Sequence, residues 1–230
     1  NVCTLAGDDA ALFTCTLTDQ TAYSLAFTDA PDFEAHADTG TDGDYDVTVT
    51  INDGVQDGAT ITYVVTVTDT NDQAPTYTAG STTPSVAEGA TAVDSAVAIT
   101  DSDSGDANVC TLAGDDAALF TCTLTGQTAY SLAFTNAPDF ETDASTDGDG
   151  NYDVTVTIND GDNDGATITY VVTVTDENDI TPTYTAGDTT PSVAEGATAV
   201  DSAVAITDAD SVDANVCTLA GDDAALFTCT

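Results

Sequence analysis

Carboxylates are the only abundant chemically active side chains in this sequence. Of 230 residues, 36 are Asp and five are Glu, against no Lys, no Arg and a single His. The rare Glu residues mark the informative places. Glu34 and Glu141 close Pro-Asp-Phe-Glu, Glu88 and Glu195 sit in Pro-Ser-Val-Ala-Glu-Gly, and Glu177 lies in Asp-Glu-Asn-Asp. Around them stand Ile-Thr-Asp-Ser-Asp (99–103), Ile-Thr-Asp-Ala-Asp (206–210) and two Ile-Asn-Asp triplets (51–53 and 158–160). Oxygens of this kind suit a hard cation, and Ca²⁺ takes about six to eight of them. No single loop here supplies that number, so any site must collect carboxylates from several segments. Gathered without a cation they would repel one another strongly. Paired carboxylates also serve glycosidases, but no catalytic triad, phosphate loop or zinc motif accompanies them. The reading is therefore a non-enzyme.

The second chemical element is cysteine. Six Cys fall as Cys3/Cys15, Cys110/Cys122 and Cys217/Cys229, each pair twelve residues apart. Cys110 shares a strand face with Leu112, and Cys122 shares one with Phe120 and Leu124. The pairs are expected to meet across hairpins as disulfides, the alternative being buried thiols that behave as small hydrophobes. Disulfides imply an oxidising, extracellular setting. Zinc is disfavoured by the spacing and by His36 having Asp143 as its counterpart.

Elements must position these groups. A formal charge of −41 with no cationic side chain excludes internal salt bridges, nucleic-acid binding and attraction to anionic membranes. No run approaches the ~20 apolar residues of a membrane helix. Asn1-Val-Cys3 carries no Met and no signal peptide and reads as the start of a mature fragment or a window. High charge points towards disorder, but a 41% hydrophobic content and strong patterning oppose it. Thr is roughly a fifth of the chain, and Thr, Val and Gly punctuation indicate an all-β fold.

NVCTLAGDDAALFTCT begins at Asn1, Asn108 and Asn215, a period of 107 residues. Residues 1–107 and 108–214 differ at sixteen positions. The period fits an immunoglobulin-like sandwich of about 100 residues. Asp46–Ile51 and Ile61–Thr68 alternate apolar and polar residues as half-buried strands do, and Asn52–Gly58 between them reads as a hairpin turn. Polar, Pro-ended linkers at Asp69–Pro75 and Asp176–Pro182 set the boundaries. They give a partial domain at 1–75, a complete one at 76–182 and a partial one at 183–230. Within 76–182, seven strands are expected at Ser85–Val86, Val93–Thr100, Val109–Leu112, Leu119–Leu124, Tyr130–Phe134, Tyr152–Ile158 and Ile168–Thr175. One short turn is expected in Asp115–Phe120.

With these motifs in order, the sequence resembles cadherin repeats, and more closely the cadherin-like repeats of large bacterial surface adhesins. The carrying residues are Asp69-Thr-Asn-Asp-Gln-Ala-Pro75, Asp139-Phe-Glu141, Asp101-Ser-Asp103 and Glu88, with Ala118–Thr121 and Ala137–Glu141 matching bacterial versions. The resemblance implies tandem seven-stranded Greek-key β-sandwiches with calcium between successive domains. Carried over by position, it implies Asp32, Glu34, Asp69, Asn71, Asp72, Asp101, Asp103 and Asp160 at the junction near residue 75. At the next junction it implies Glu88, Asp139, Glu141, Asp176, Asn178, Asp179, Asp208 and Asp210, with a main-chain oxygen of Glu177. Asp53 would serve a preceding junction. The family's linker Asn is Gln73 in one copy and Ile180 in the other, and the Gly after its Asp-x-Asp-x is Gly105 in one and Val212 in the other. Asp53, Asp57, Asp162 and Asp164 also suit simple turns.

The implied role is a repeating structural segment of an extracellular filament or giant surface adhesin, stiffened by calcium. Its partners would be neighbouring repeats in the same or an adjoining chain. A chain without Lys or Arg also offers trypsin-type proteases nothing to cut. Two alternatives stand beside it. One is a binding module for glycans or for identical filaments, to which outward Thr rows such as Thr48/Thr50 and Thr66/Thr68 would contribute. The other is a head-to-tail polymer in which 183–214 of one chain donates strands to the next; a continuous long array is the preferred form.

Overall fold

Alternating β-branched and polar residues make strands, and the computed structural model of the chain is all-β. It describes residues 1–230 apart from 106, 203, 212, 213 and 230. Val212 therefore lies outside the described residues. The chain divides into two compact units. The first is 1–76 with 100–108 and 159–164; the second is 77–99 with 109–158 and 165–230.

In the first unit, β1 (Val2–Ala6), β4 (Asp44–Asn52) and β5 (Ile61–Thr66) form one sheet, and β2 (Phe13–Thr18) pairs with β3 (Ala22–Phe27) in another. Tyr45, Val47 and Phe13 are its buried core. The turn between β4 and β5 is built by its side chains. Asp53 Oδ1 accepts from the amides of Val55 (2.9 Å) and Gln56 (2.8 Å), and Asn52 Nδ2 donates to Asp57 Oδ1. Asp53 and Asp57 thus act as turn formers here. Strand β5 ends at Thr66, two residues before the expected Thr68.

The second unit carries the fuller sandwich. One sheet runs β10 (Phe120–Thr125), β11 (Ala129–Phe134), β8 (Ala92–Thr100), β6 (Thr76–Tyr77). The other runs β7 (Ser85–Ala87), β13 (Ile168–Thr175), β12 (Asn151–Asn159), β9 (Val109–Ala113). The seven expected strands are present and an eighth, β6, joins them. Two residues are too short to show alternation, so sequence pattern missed it. Strand β13 reaches Thr175 where its counterpart β5 stops early, because β7 pairs in parallel with Thr173–Thr175. The inner faces bring together Tyr130, Tyr170, Val154, Val156, Ile158 and Val172, all fully buried. Tyr130 and Tyr170 share a hydroxyl hydrogen bond of 2.8 Å, and Tyr170 donates to Asp94 at 3.0 Å. Burial pushes the Tyr170 phenol well above its usual range, so it stays a donor.

One expectation is corrected. Cys110 and Cys122 are disulfide-bonded with Cα atoms 6.2 Å apart, as are Cys3 and Cys15, while Cys217 and Cys229 are bonded at 6.0 Å. They do not bridge a hairpin. Strand β9 pairs with β12 and β10 with β11, so Cys110–Cys122 ties the two sheets together. The crossing is made by the single 3₁₀ turn Ala117–Leu119, where the short turn was expected. Closing a loop of this length stabilises by about 3 kcal/mol. Urea unfolding of a Cys110→Ser/Cys122→Ser chain should lose about that amount; an unchanged midpoint would contradict it.

Gly114 opens this crossing with φ +105°, and an added Cβ would lie 2.8 Å from the Asp153 carbonyl oxygen. Gly221 has φ +113° but nothing within 4 Å. Gly114→Ala should therefore cost more than Gly221→Ala, by about 1–2 kcal/mol. Thermal unfolding of the two variants compares them directly, and equal losses would refute the clash.

Candidate metal centre

The carboxylates singled out by sequence converge in each unit. In the first, Glu34, Asp72 and Asp103 each place one oxygen within 4.8 Å of the others, and Asp101, Asp103 and Asp160 do the same. Asp103 belongs to both groups and is 8% exposed. Local structure aims it: Asp101 Oδ1 accepts from the Asp103 amide at 3.3 Å, and Asp103 Oδ2 accepts from the Gln73 amide at 2.7 Å. Asp160 sits at the end of the β12 strand, its Oδ1 holding the amides of Asp162 (2.9 Å) and Asn163 (2.7 Å). Asp69 turns one oxygen to the Ser104 amide (2.6 Å) and hydroxyl (2.5 Å). Asn71 donates to the Asp160 carbonyl and accepts from Asn163.

What remains is a set of buried carboxylate oxygens without a hydrogen-bond donor. They are Glu34 Oε1, Asp69 Oδ1, Asp101 Oδ2, Asp103 Oδ1 and Asp160 Oδ2. A buried, unsatisfied anionic oxygen is costly, and five among these neighbouring carboxylates call for a cation. Hard oxygen donors from four segments match what Ca²⁺ accepts.

The second unit repeats the arrangement. Glu88, Asp139 and Glu141 form one group and Glu141, Asp179 and Asp210 another. Glu88 ties two segments, accepting from the Phe140 amide at 2.8 Å and the Glu177 amide at 2.6 Å. Asp176 accepts from the Ser211 amide (2.6 Å) and hydroxyl, as Asp69 does from Ser104. Both oxygens of Glu141, with Asp176 Oδ1 and Asp208 Oδ2, are buried without a hydrogen-bond partner.

Charge reports the same crowding. Burial, followed by the nearby carboxylates Asp103 and Asp69, pushes Glu34 above the usual range. Burial, then Glu88, Asp176 and Asp210, does so for Glu141, and burial with Asp160 and Asp103 for Asp101. Asp69 is held low by Ser104, and Asp160 is pushed up by burial but held low overall by its two amide donors. A carboxyl raised in the folded state binds more protons there than in the unfolded chain. Stability from Glu34, Asp101 and Glu141 is therefore present at low pH and lost as pH rises through the carboxylate range. Asp69 and Asp160, held low, contribute the opposite slope, so the fall is read as the difference in melting between wild type and Glu34→Gln/Glu141→Gln in chelator across that range, and calcium should flatten it. A curve indifferent to calcium would contradict cation binding at these carboxylates.

The remaining sequence candidates fall differently. Asp32 is exposed and spends Oδ1 on the amides of Glu34 and Ala35. Asn178 is exposed in its linker. The departure at Gln73 and Ile180 is explained: that position offers its backbone amide, to Asp103 in one unit and to Asp210 (3.0 Å) in the other. Sequence reasoning missed Ser104 and Ser211, though the Ser following Asp-x-Asp in both copies was a legible signal. It also missed Asp9 and Asp116. Each is 3% exposed and outside both clusters, and each holds two backbone amides across its own loop.

No family model matches the sequence, and no curated protein matches it. Solved structures do. A protocadherin PcdhgB3 EC1-4 structure aligns with a TM-score of 0.63 at 22% identity, covering 91% of this chain and 50% of that one. The protocadherin gammaB7 EC3-6 cis-dimer structure aligns at 0.60 and 23%, covering 91% and 52%. Human CDH23 EC21-23 aligns at 0.50 and 24%, covering 74% and 55%. The chain spans about half the length of these solved chains. At this identity the likeness concerns architecture, and that architecture is the cadherin-type β-sandwich.

Proposed function

We propose that the chain is a structural repeat of a calcium-stiffened extracellular filament or large surface adhesin of the bacterial cadherin-like kind. Its repeats are taken as 1–75, 76–182 and 183–230. One observation carries the reading: buried carboxylate oxygens without donors, in a chain that has no Lys or Arg to neutralise them. Glu34, Asp69, Asp72, Asp101, Asp103 and Asp160 would hold calcium near residue 75. Glu88, Asp139, Glu141, Asp176, Asp179, Asp208 and Asp210 would hold it near residue 182. Asn71 and Asn178 complete the linker side. The cation supplies positive charge that cross-links linker, loop and strand end. The residues themselves fix the geometry through backbone amides.

Mechanically, two of the groups, Glu34/Asp72/Asp103 and Glu141/Asp179/Asp210, each join a residue before a linker, one within it and one after it. Binding therefore converts a flexible joint into a stiff one. Extracellular modules bind calcium at about 10⁻⁴–10⁻³ M, and free calcium at 100 times Kd adds about 2.7 kcal/mol per site to the bound form. The disulfides suit an oxidising exterior, and near-identical copies suit a spacer in adhesion. Small-angle scattering of the chain in calcium and in chelator tests this. A larger maximum dimension and narrower distribution in calcium support it; identical profiles would overturn it.

A further inference from the structure

The loop joining β3 to β4 in the first unit holds a buried carboxylate with one oxygen unpartnered. Asp38 is 4% exposed, although Ala37 and Thr39 beside it, and Gly40 to Asp42 after it, are exposed. Its neighbours fix where it points. The Ala37 amide donates to the Tyr45 hydroxyl (3.3 Å) and the Thr39 amide to Asp9 Oδ1 (2.7 Å). Asp38 Oδ2 then accepts from the Asp42 amide across the loop (2.9 Å), which turns the carboxylate into the 38–42 ring. Oδ1 is buried there with no hydrogen-bond partner, the nearby His36 included. A buried carboxylate oxygen in that state is costly. Asp38 belongs to none of the carboxylate groups near residues 75 and 182.

The spacing around it is that of a cation loop. Asp38-Thr-Gly-Thr-Asp42-Gly43 sets carboxylates at its first and fifth positions and a glycine at the sixth, as short calcium loops do. Gly43 makes the sharp turn with φ +82°, and a Cβ there would meet the His36 ring at 3.5 Å. Asp42 Oδ1 accepts from the Asp44 amide (3.2 Å) and Asp44 Oδ1 from the Thr66 hydroxyl (2.7 Å), which leaves each a second oxygen.

The second unit supplies the contrast. Ser145 stands at the place of Asp38, and Asp143 at that of His36. Asp143 uses both oxygens on loop amides, Oδ1 on Ser145 (2.8 Å) and Oδ2 on Gly150 (3.1 Å). Among the described residues, no carboxylate oxygen of 142–152 is buried without a partner. That loop is closed by its own amides, whereas the first unit's loop encloses an uncompensated negative oxygen.

We propose that the 38–44 loop of the first unit binds a calcium ion through Asp38 Oδ1 and the Asp42 carboxylate, with loop carbonyls and water completing the shell, and that the 143–151 loop does not. The site lies apart from the junction clusters and does not rest on them. With two side-chain ligands it belongs among weak extracellular sites, at about 10⁻⁴–10⁻³ M.

Amide hydrogen exchange read by mass spectrometry tests this, because segments 35–45 and 142–152 differ in sequence and report separately. Wild type, Asp38→Asn, Asp38→Ser and Asp103→Asn/Glu141→Gln are compared in chelator and in calcium at about ten times the loop's Kd, in physiological monovalent salt. Segment 35–45 should slow by about tenfold in calcium in wild type and in the junction variant. It should not slow in either Asp38 variant, and 142–152 should behave alike in all three chains that keep the junction residues. Asp38→Ser installs the residue that the second unit carries here, where the loop closes without the acid. Both Asp38 variants should melt at or above wild type in chelator, since each removes a buried charge without a donor; melting below it would overturn the uncompensated charge on which the site rests. Segment 35–45 indifferent to calcium would overturn the proposal. So would slowing that survives Asp38→Ser, or that vanishes with Asp103→Asn/Glu141→Gln. So would slowing that magnesium reproduces at the same concentration, since magnesium screens charge alike but demands near-ideal octahedral geometry. Scattering unchanged by calcium while 35–45 still slows would sink the junction reading and leave this one standing.

Discussion

Asp103→Asn should lower the melting temperature of the calcium-loaded protein and raise it in chelator. Asp103 stands in both carboxylate groups of its unit, and its Oδ1 is buried without a donor. Replacing one ligand in two groups should weaken calcium binding there by about tenfold to a hundredfold. The amide oxygen still accepts from the Gln73 N–H, so the loop keeps its anchor. Without calcium the same change removes one negative charge from a cluster in which burial and repulsion already raise Glu34 and Asp101. Repulsion then falls and the apo protein gains stability. Asp103→Ala separates the two effects, because it also leaves the Gln73 amide without its acceptor. Melting curves of wild type and both variants, with and without calcium, decide the matter. A shift of the same sign in both conditions would show that Asp103 acts only through packing.

Asp116→Ala should destabilise by about 3 kcal/mol, with or without calcium. Its carboxylate is 3% exposed and accepts from the Thr146 amide (2.7 Å), the Thr146 hydroxyl (2.8 Å) and the Asp153 amide (2.8 Å). Ala leaves buried donors unpaired, and charged acceptors are the expensive ones to lose. Asp9 repeats the arrangement in the first unit with Thr39 and Asp46, and those two amides hold its carboxyl below the usual range. Its contribution is therefore present above the unfolded pKa and lost as pH falls through the lower folded value. Urea unfolding near neutral pH measures the Asp116 cost. A negligible loss for Asp116→Asn, which keeps the shape but offers a single neutral acceptor oxygen, would show that shape, not acceptor strength, is what the loop needs.

Asp103 and Asp116 also show what the sequence discloses and what it withholds. Both are Asp in acidic, loop-like stretches. Asp103 was legible because a spaced Asp-x-Asp follows a strand, in order with the linker and Asp-x-Glu motifs. Asp116 was not, because Gly-Asp-Asp reads as an ordinary turn until the 146–153 segment folds over it. The strands were legible from their period of two, since Val154, Val156 and Ile158 all point inward. Strand β6 was not, being two residues held by its partner. The cysteines were paired correctly from spacing, yet the spacing alone could not tell a hairpin from two sheets. That depended on Gly114 and the turn at Ala117–Leu119, a tertiary decision with a one-residue signal.

Equilibrium dialysis against calcium in physiological monovalent salt, followed by elemental analysis, reaches the central claim most directly. Monovalent salt screens the diffuse attraction of a −41 chain, so only ions held by the clusters remain. The account predicts a saturable, integral calcium content that falls when Asp103 and Glu141 are both replaced by their amides. Calcium no higher than the dialysis buffer, or a content untouched by those substitutions, would contradict it.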